Sequence, residues 1–261
     1  MHTGQLLGSG RTADVYALDG SWVLRRYRDS TDTTPELAVM SYLCAFGFPV
    51  PRIGPPADGA RATDLVLQRL TGPTMAEALL TGALEAAEGG ALLAGLLREL
   101  HAIPARLSPD PEERILHLDL HPENVMLTDR GPVVIDWSNT VEGPPGLDRA
   151  MSALILAQVA LDPAFPAAGK GTTTATVEAE GTEEAEGAAT GTSGTPAAPA
   201  AGVPDVRSLL TALLTELAAD GGVSVADLAR ARTRRAADPR LTEPEAAALD
   251  EAVALVRSHA P

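Results

Sequence analysis

Short apolar runs bounded by turn residues dominate the start of the chain, and longer stretches with helical periodicity follow. Leu6-Leu7 leads into a glycine-rich turn. Val15 to Leu18 and Trp22 to Arg25 have strand length and meet at Asp19-Gly20-Ser21, which predicts a hairpin. Pro35 to Phe46 reads as a helix. Proline suits a first turn, where a missing N–H leaves nothing unpaired, and Glu36 complements the positive helix end. Phe48-Pro49-Val50-Pro51 breaks it. Leu65 to Gln68 is a further strand, closed by Thr71-Gly72-Pro73. Val125 to Leu127 and Val133 to Ile135 flank the turn Thr128-Asp129-Arg130-Gly131, a second hairpin. Leu147 to Leu161 and Asp205 to Ala219 read as helices, the latter with Val206, Leu209, Leu210, Leu213, Leu214 and Leu217 on one stripe. Ser224 with Asp227, and Thr242 with Glu245, are candidate capping boxes opening two more helices. Strands first and helices later predict a two-lobed α+β architecture.

The expected division is a small β-rich lobe over 1–70 and a mainly helical lobe over 71–165, completed by helices of 205–261. Residues 166–204 are almost entirely Ala, Gly, Thr, Pro and Glu. Such a segment buries too little apolar surface to offset the entropy of ordering it, which predicts a disordered insertion. Hydrophobic residues make up 45% of the chain but aromatics only 3%, so Leu, Val, Ile and Ala must fill the core. The formal net charge of −15 lacks the basic footprint of a nucleic-acid binder. It suits a cationic substrate and equally serves solubility. A single cysteine, Cys44, excludes an internal disulfide and a cysteine-based metal cluster, and its apolar run predicts a small buried hydrophobe. Met1-His2-Thr3-Gly4 has neither part of a secretion signal, and Ala150 to Leu161 is too short to span a bilayer. The expectation is a soluble, cytoplasmic protein with no membrane partner.

The chemistry concentrates in His117-Leu118-Asp119-Leu120-His121-Pro122-Glu123-Asn124, followed by Val133-Val134-Ile135-Asp136. An Asp, an Asn five residues on and a second Asp after an apolar run have the spacing of a kinase catalytic loop and its metal-binding Asp. The hairpin between them would return Asp136 to Asn124 beside Asp119, where three oxygen-bearing side chains could meet a phosphate-bound Mg²⁺. The bland alternative is a hairpin with polar ends. Upstream, Gly8-Ser9-Gly10-Arg11-Thr12-Ala13-Asp14-Val15 matches G-x-G-x-x-G-x-V with Ala13 at the third glycine; small residues let backbone N–H groups approach phosphates. Taken alone, it could be a flexible turn. Arg25 stands at the position of a phosphate-binding lysine, with Glu36 its natural carboxylate partner. Arg26 points to the opposite strand face and is read as solvated. Gln68 and Leu70 would offer a backbone carbonyl and N–H to adenine, although a plain strand exit would look the same. His117 and His121 are read as shaping the loop, and His101 as a residue at a helix C-terminus without a catalytic role.

These motifs, with Ile135-Asp136-Trp137, Pro145-Gly146-Leu147-Asp148 and Phe48-Pro49-Val50-Pro51, resemble the aminoglycoside phosphotransferase family of small-molecule kinases. The resemblance spans about Leu6 to Leu161. It implies a protein-kinase-like fold, ATP and Mg²⁺ as cosubstrates, and transfer to a hydroxyl of a small molecule. Asp119 matches the family's catalytic Asp, Asn124 and Asp136 its metal ligands, and Asp148 an Asp that steadies the catalytic loop. Departures are Leu118 for Gly, Arg25 for Lys and Ala13 for Gly. Two other readings compete. A nucleotide-binding module without transferase activity draws on Arg25 and Leu118. A protein kinase is disfavoured by the short stretch between Asp136 and Asp148 and the lack of a following Ala-Pro-Glu. The acceptor is not legible in these motifs.

Overall fold

The computed structural model describes residues 4–10, 12–57, 59–61, 63–162 and 205–259. The expected insertion at 166–204 and Arg11 of the glycine-rich turn lie outside the described residues.

The first lobe is built on a four-stranded antiparallel sheet in sequence order: β1 (Leu6–Ser9), β2 (Ala13–Ala17), β3 (Trp22–Tyr27) and β4 (Asp64–Gln68). Register sets Val15 opposite Arg25 and Leu24 opposite Val66. The β2–β3 turn closes as the sequence predicts, because Asp19 Oδ1 accepts the N–H groups of Ser21 (2.7 Å) and Trp22 (2.9 Å). Helix α1 (Thr34–Ala45) crosses between β3 and β4, with Pro35 in its first turn and Gly47 just beyond its end at φ +79°. It buries Glu36, Val39, Met40 and Leu43. Cys44 follows Leu43 by about 100° around the axis, so it is exposed rather than buried as its apolar neighbours suggested. Arg26 is not simply solvated. Its guanidinium grips Asp64 with two bonds of 2.7 Å across β3 and β4.

The second lobe is mainly helical. It comprises α2 (Met75–Leu80), α3 (Ala86–His101), α4 (Pro145–Leu161), α5 (Val206–Ala218), α6 (Val225–Ala236), α7 (Glu243–Ala247) and α8 (Leu249–His259). Two short ribbons complete it: β5 (Arg114–Leu116) pairs with β8 (Val141–Gly143), and β6 (Val125–Thr128) pairs with β7 (Gly131–Val134). The leucine stripe of α5 faces inward: Leu209, Leu210, Leu213, Leu214 and Leu217 are all buried. Each contributes about 1.5–3 kcal/mol relative to exposure. Thr242 and Glu245 form the full capping box expected of α7. At α6 Ser224 accepts the Asp227 N–H, while the Asp227 carboxylate takes the Ser224 hydroxyl.

Helices α3 and α5 approach closely through Gly90. A methyl group there would stand 2.5 Å from the Ala212 Cβ and 2.7 Å from the Leu213 nitrogen, whereas one at Gly95 would meet nothing within 4 Å. Gly90→Ala should therefore destabilise by about 1–3 kcal/mol, since backbone must move. Gly95→Ala should stabilise by about 0.5–1 kcal/mol, because it only restricts the unfolded chain and improves helix propensity. Urea midpoints of the two variants moving in the same direction would refute this packing account.

Candidate active site

One cleft of about 1150 Å³ gathers most of the residues singled out in the sequence. Gly8, Gly10, Thr12, Arg25, Glu36, Gln68 and Leu70 line it together with Asp119, Asn124 and Asp136. Ser9 is turned elsewhere: its hydroxyl donates to Asp14 (2.8 Å), which also pairs with Arg28.

Arg25 is the junction of the cleft. Its Nη1 lies 3.0 Å from Glu36 Oε1 of α1, and its Nη2 lies 2.6 Å from Asp136 Oδ1. The Tyr27 hydroxyl donates to the other Glu36 oxygen at 2.6 Å. Burial works against the Arg25 charge, but Asp136 and Glu36 more than offset it and its pKa rises. Burial likewise opposes ionisation of Asp136, yet the Arg25 charge and hydrogen bond, with the Ser138 hydroxyl, bring its pKa down. At Glu36 burial wins and the pKa rises despite Arg25 and Tyr27. Ser138 donates to the same Asp136 oxygen as Arg25, at 2.7 Å. The second oxygen, Oδ2, therefore remains for other partners.

Two backbone positions shape the loop. Leu118 and Asp136 are the non-glycine residues with positive φ among those described, at 61° and 62°. Asp tolerates the left-handed region comparatively well; leucine does not. Leu118 is held there by the Asp148 carboxylate, which accepts the N–H groups of His117 (2.9 Å) and Leu118 (2.7 Å) and faces His101 Nε2 at 3.0 Å. Burial opposes the Asp148 charge, but the His101 hydrogen bond and charge, with the loop amides, pull its pKa below the ordinary 3.8. His117 is buried, with Nε2 3.0 Å from the Ile135 carbonyl, and its Nδ1 accepts the Asp119 N–H at 3.2 Å. Its ring packs edge-on against Trp137, which bears out a shaping role. His121 Nε2 lies 3.7 Å from Asp119 Oδ1, and burial ahead of all else lowers its pKa.

The hairpin does what its length suggests. Ile135 N–H donates to the Asn124 carbonyl at 3.0 Å, which sets Asp136 beside Asn124. The Asn124 amide nitrogen donates to the Asp119 carbonyl (2.8 Å) and approaches Asp119 Oδ2 (3.3 Å). That leaves the amide oxygen for a cation. Among the described residues no three His, Cys, Asp or Glu groups form a metal cluster. An amide oxygen and a carboxylate nevertheless suit Mg²⁺ bound chiefly through phosphates and water. Arg235, Asp238, Arg240 and Asn139 also line the cleft. No motif marked them, because they are brought in by packing of the C-terminal helices rather than by spacing near Asp119.

The sequence model of the phosphotransferase enzyme family, APH, matches residues 3–114 and 104–181. No curated protein matches the sequence. Similar solved structures include the gentamicin complex of APH(2")-IIa, at 12% identity over 97% of this chain and 90% of that one, with TM-score 0.51. The ADP-bound aminoglycoside phosphotransferase APH(2'')-Ib is 13% identical over 98% and 92%, with TM-score 0.50. The amicoumacin kinase hAmiN with AMP-PNP, Ca²⁺ and Ami is 14% identical over 98% and 88%, with TM-score 0.51. At such identities the likeness shows the fold, two-lobed and kinase-like.

Two predictions follow from the loop geometry. Leu118→Gly should be less destabilising than Leu118→Ala by about 1 kcal/mol, because both lose the buried side chain but only glycine escapes the left-handed penalty; denaturant titration finding alanine equal or better would count against it. Asp148→Ala should cost about 3–5 kcal/mol, since it strands two buried amides. Because the folded pKa of Asp148 is lowered, its contribution is complete above about pH 4 and disappears as pH falls through the lower folded value. The stability gap to wild type should therefore shrink in acid, and a gap that widens below pH 4 would contradict the assignment.

Proposed function

The chain belongs to the phosphotransferase enzyme family, and on that premise we propose that it transfers the γ-phosphate of ATP to a hydroxyl of a small molecule. The observation that carries the reading is the meeting of Asp119, Asn124, Asp136 and the Arg25–Glu36 pair on one cleft. Nucleotide binding has further support from the ADP and AMP-PNP held by similarly folded proteins.

In this reading the β1–β2 turn covers the phosphates, with backbone at Gly8 and Gly10 approaching them. Adenine lies at the exit of β4, against the Gln68 carbonyl and the Leu70 N–H. Asp119 accepts the acceptor's hydroxyl proton and aligns its oxygen for in-line attack; the new P–O bond forms as the bond to ADP breaks. Arg25 supplies a fixed charge to the phosphates, held in place by Glu36. Asn124 and Asp136 hold Mg²⁺, which when bound neutralises charge on the phosphate oxygens.

A second reading, a nucleotide-binding module without transfer, rests on one contact. Arg25 lies 2.6 Å from Asp136, where a lysine would reach differently.

ATP consumption across a panel of hydroxylated metabolites and aminoglycosides distinguishes the two. Turnover is expected with at least one acceptor. Asp119→Asn should lower it by about 10²–10⁴-fold while leaving calorimetric ATP–Mg²⁺ affinity essentially intact. Undiminished turnover in that variant would remove Asp119 from its role, and absence of ATP–Mg²⁺ binding to wild type would end the kinase reading.

A further inference from the structure

The cleft's cationic chemistry is arginine chemistry. The chain has one lysine, Lys170, which lies outside the described residues. Four described arginines line the cleft: Arg25, Arg69, Arg235 and Arg240. Each already has partners. Arg25 divides its two terminal nitrogens between Glu36 and Asp136. Arg69 sits at the β4 exit and donates to the Asp19 carbonyl at 3.4 Å. Arg235 donates Nε to Gln158 and sets its terminal nitrogens 4.0 Å from Asp238 and 3.8 Å from Glu245.

Arg240 differs. It lies between α6 and α7, and its own N–H donates to Asp238 Oδ1 at 2.9 Å, which closes the turn. Its guanidinium uses two nitrogens: Nε bonds Asp238 Oδ1 at 2.9 Å, and Nη2 bonds Asp238 Oδ2 at 3.1 Å and Asn139 Oδ1 at 3.0 Å. Nη1 makes no hydrogen bond among the described residues. Asn139 is three residues past Asp136, so this contact brings a cation from the C-terminal helices to the catalytic hairpin. The Asp238 hydrogen bond above all, and then against some burial the charges of Asp238, Asp119 and Asp136, keep the group ionised. The guanidinium thus lines the same cleft as Asp119 and Asp136 and is tied to the chain three residues beyond Asp136.

We propose, resting on the phosphotransfer reading above, that Arg240 binds the γ-phosphate of ATP through its uncommitted Nη1 edge. Arg240 shares the cleft with Asp119 and is bonded to Asn139, three residues beyond Asp136, so in that reading an anion it holds lies on the side of the transferring phosphate. Charge spreads over the γ-oxygens during transfer, and a donor fixed in advance by Asp238 and Asn139 meets it without reorganisation. Asp238 and Asn139 are then positioning residues that act through Arg240.

Calorimetry on the full chain with AMP-PNP–Mg²⁺ and with ADP–Mg²⁺ tests this, in wild type, Arg240→Gln and Arg240→Lys. Gln keeps a polar side chain in the turn and Lys keeps the charge. Arg240→Gln should bind AMP-PNP about 10–100-fold more weakly and ADP nearly as wild type. Arg240→Lys should recover part of the AMP-PNP affinity. Equal weakening toward both nucleotides would mark a structural role, and unchanged AMP-PNP affinity would place the guanidinium on something other than the γ-phosphate, such as an anionic acceptor; either result overturns the proposal. Wild type binding neither nucleotide would instead overturn the phosphotransfer reading and this inference with it, so the two failures are separable.

Discussion

A buried guanidinium shared by two carboxylates ties this molecule together. Arg25 comes from the sheet, Glu36 from α1 and Asp136 from the end of the β6–β7 hairpin, and their contacts at 3.0 and 2.6 Å join the lobes at the cleft. Removing such charges from water costs several kcal/mol per ion, so a bare pair would be a poor device for stability. Here the cost is offset by a third charge and by the hydroxyls of Tyr27 and Ser138. What the arrangement secures is geometry: it fixes where Asp136 stands relative to the four-stranded sheet. Arginine makes this junction more directional than lysine, because its fork reaches both carboxylates at once.

The second constraint is the clamp beneath the loop. Asp148 spends both oxygens on the amides of His117 and Leu118, and it anchors them from the first turn of α4. This explains how leucine occupies a backbone region that favours glycine. The buried side chain adds core contacts while the clamp fixes the strained amide, so a local departure from the family pattern survives through burial and hydrogen bonding elsewhere. Trp137, wedged between Phe48 and His117, braces the hairpin from the other side.

Much of this was legible in the chain. The Asp19-Gly20-Ser21 turn, α1 with its first-turn proline, the α5 leucine stripe and the Thr242–Glu245 box all rest on local rules that tertiary context did not override. The spacing from Asp119 through Asn124 to Asp136 was readable because a hairpin converts separation into proximity. Cys44 was misread because an apolar run does not say which side of a helix faces out. Arg240, Asp238 and Asn139 were not readable together, since their meeting depends on how the C-terminal helices pack against the hairpin, and no short-range pattern encodes it.

On the proposed reading, Asn124 and Asp136 offer a cation site that is complete only when phosphates are bound beside Asp119. Electron paramagnetic resonance of Mn²⁺ added in place of Mg²⁺ tests it most directly. The account predicts an immobilised Mn²⁺ signal in wild type with AMP-PNP, a weak one without nucleotide, and its loss in Asp136→Asn. An equally strong signal in that variant, or one independent of nucleotide, would contradict it.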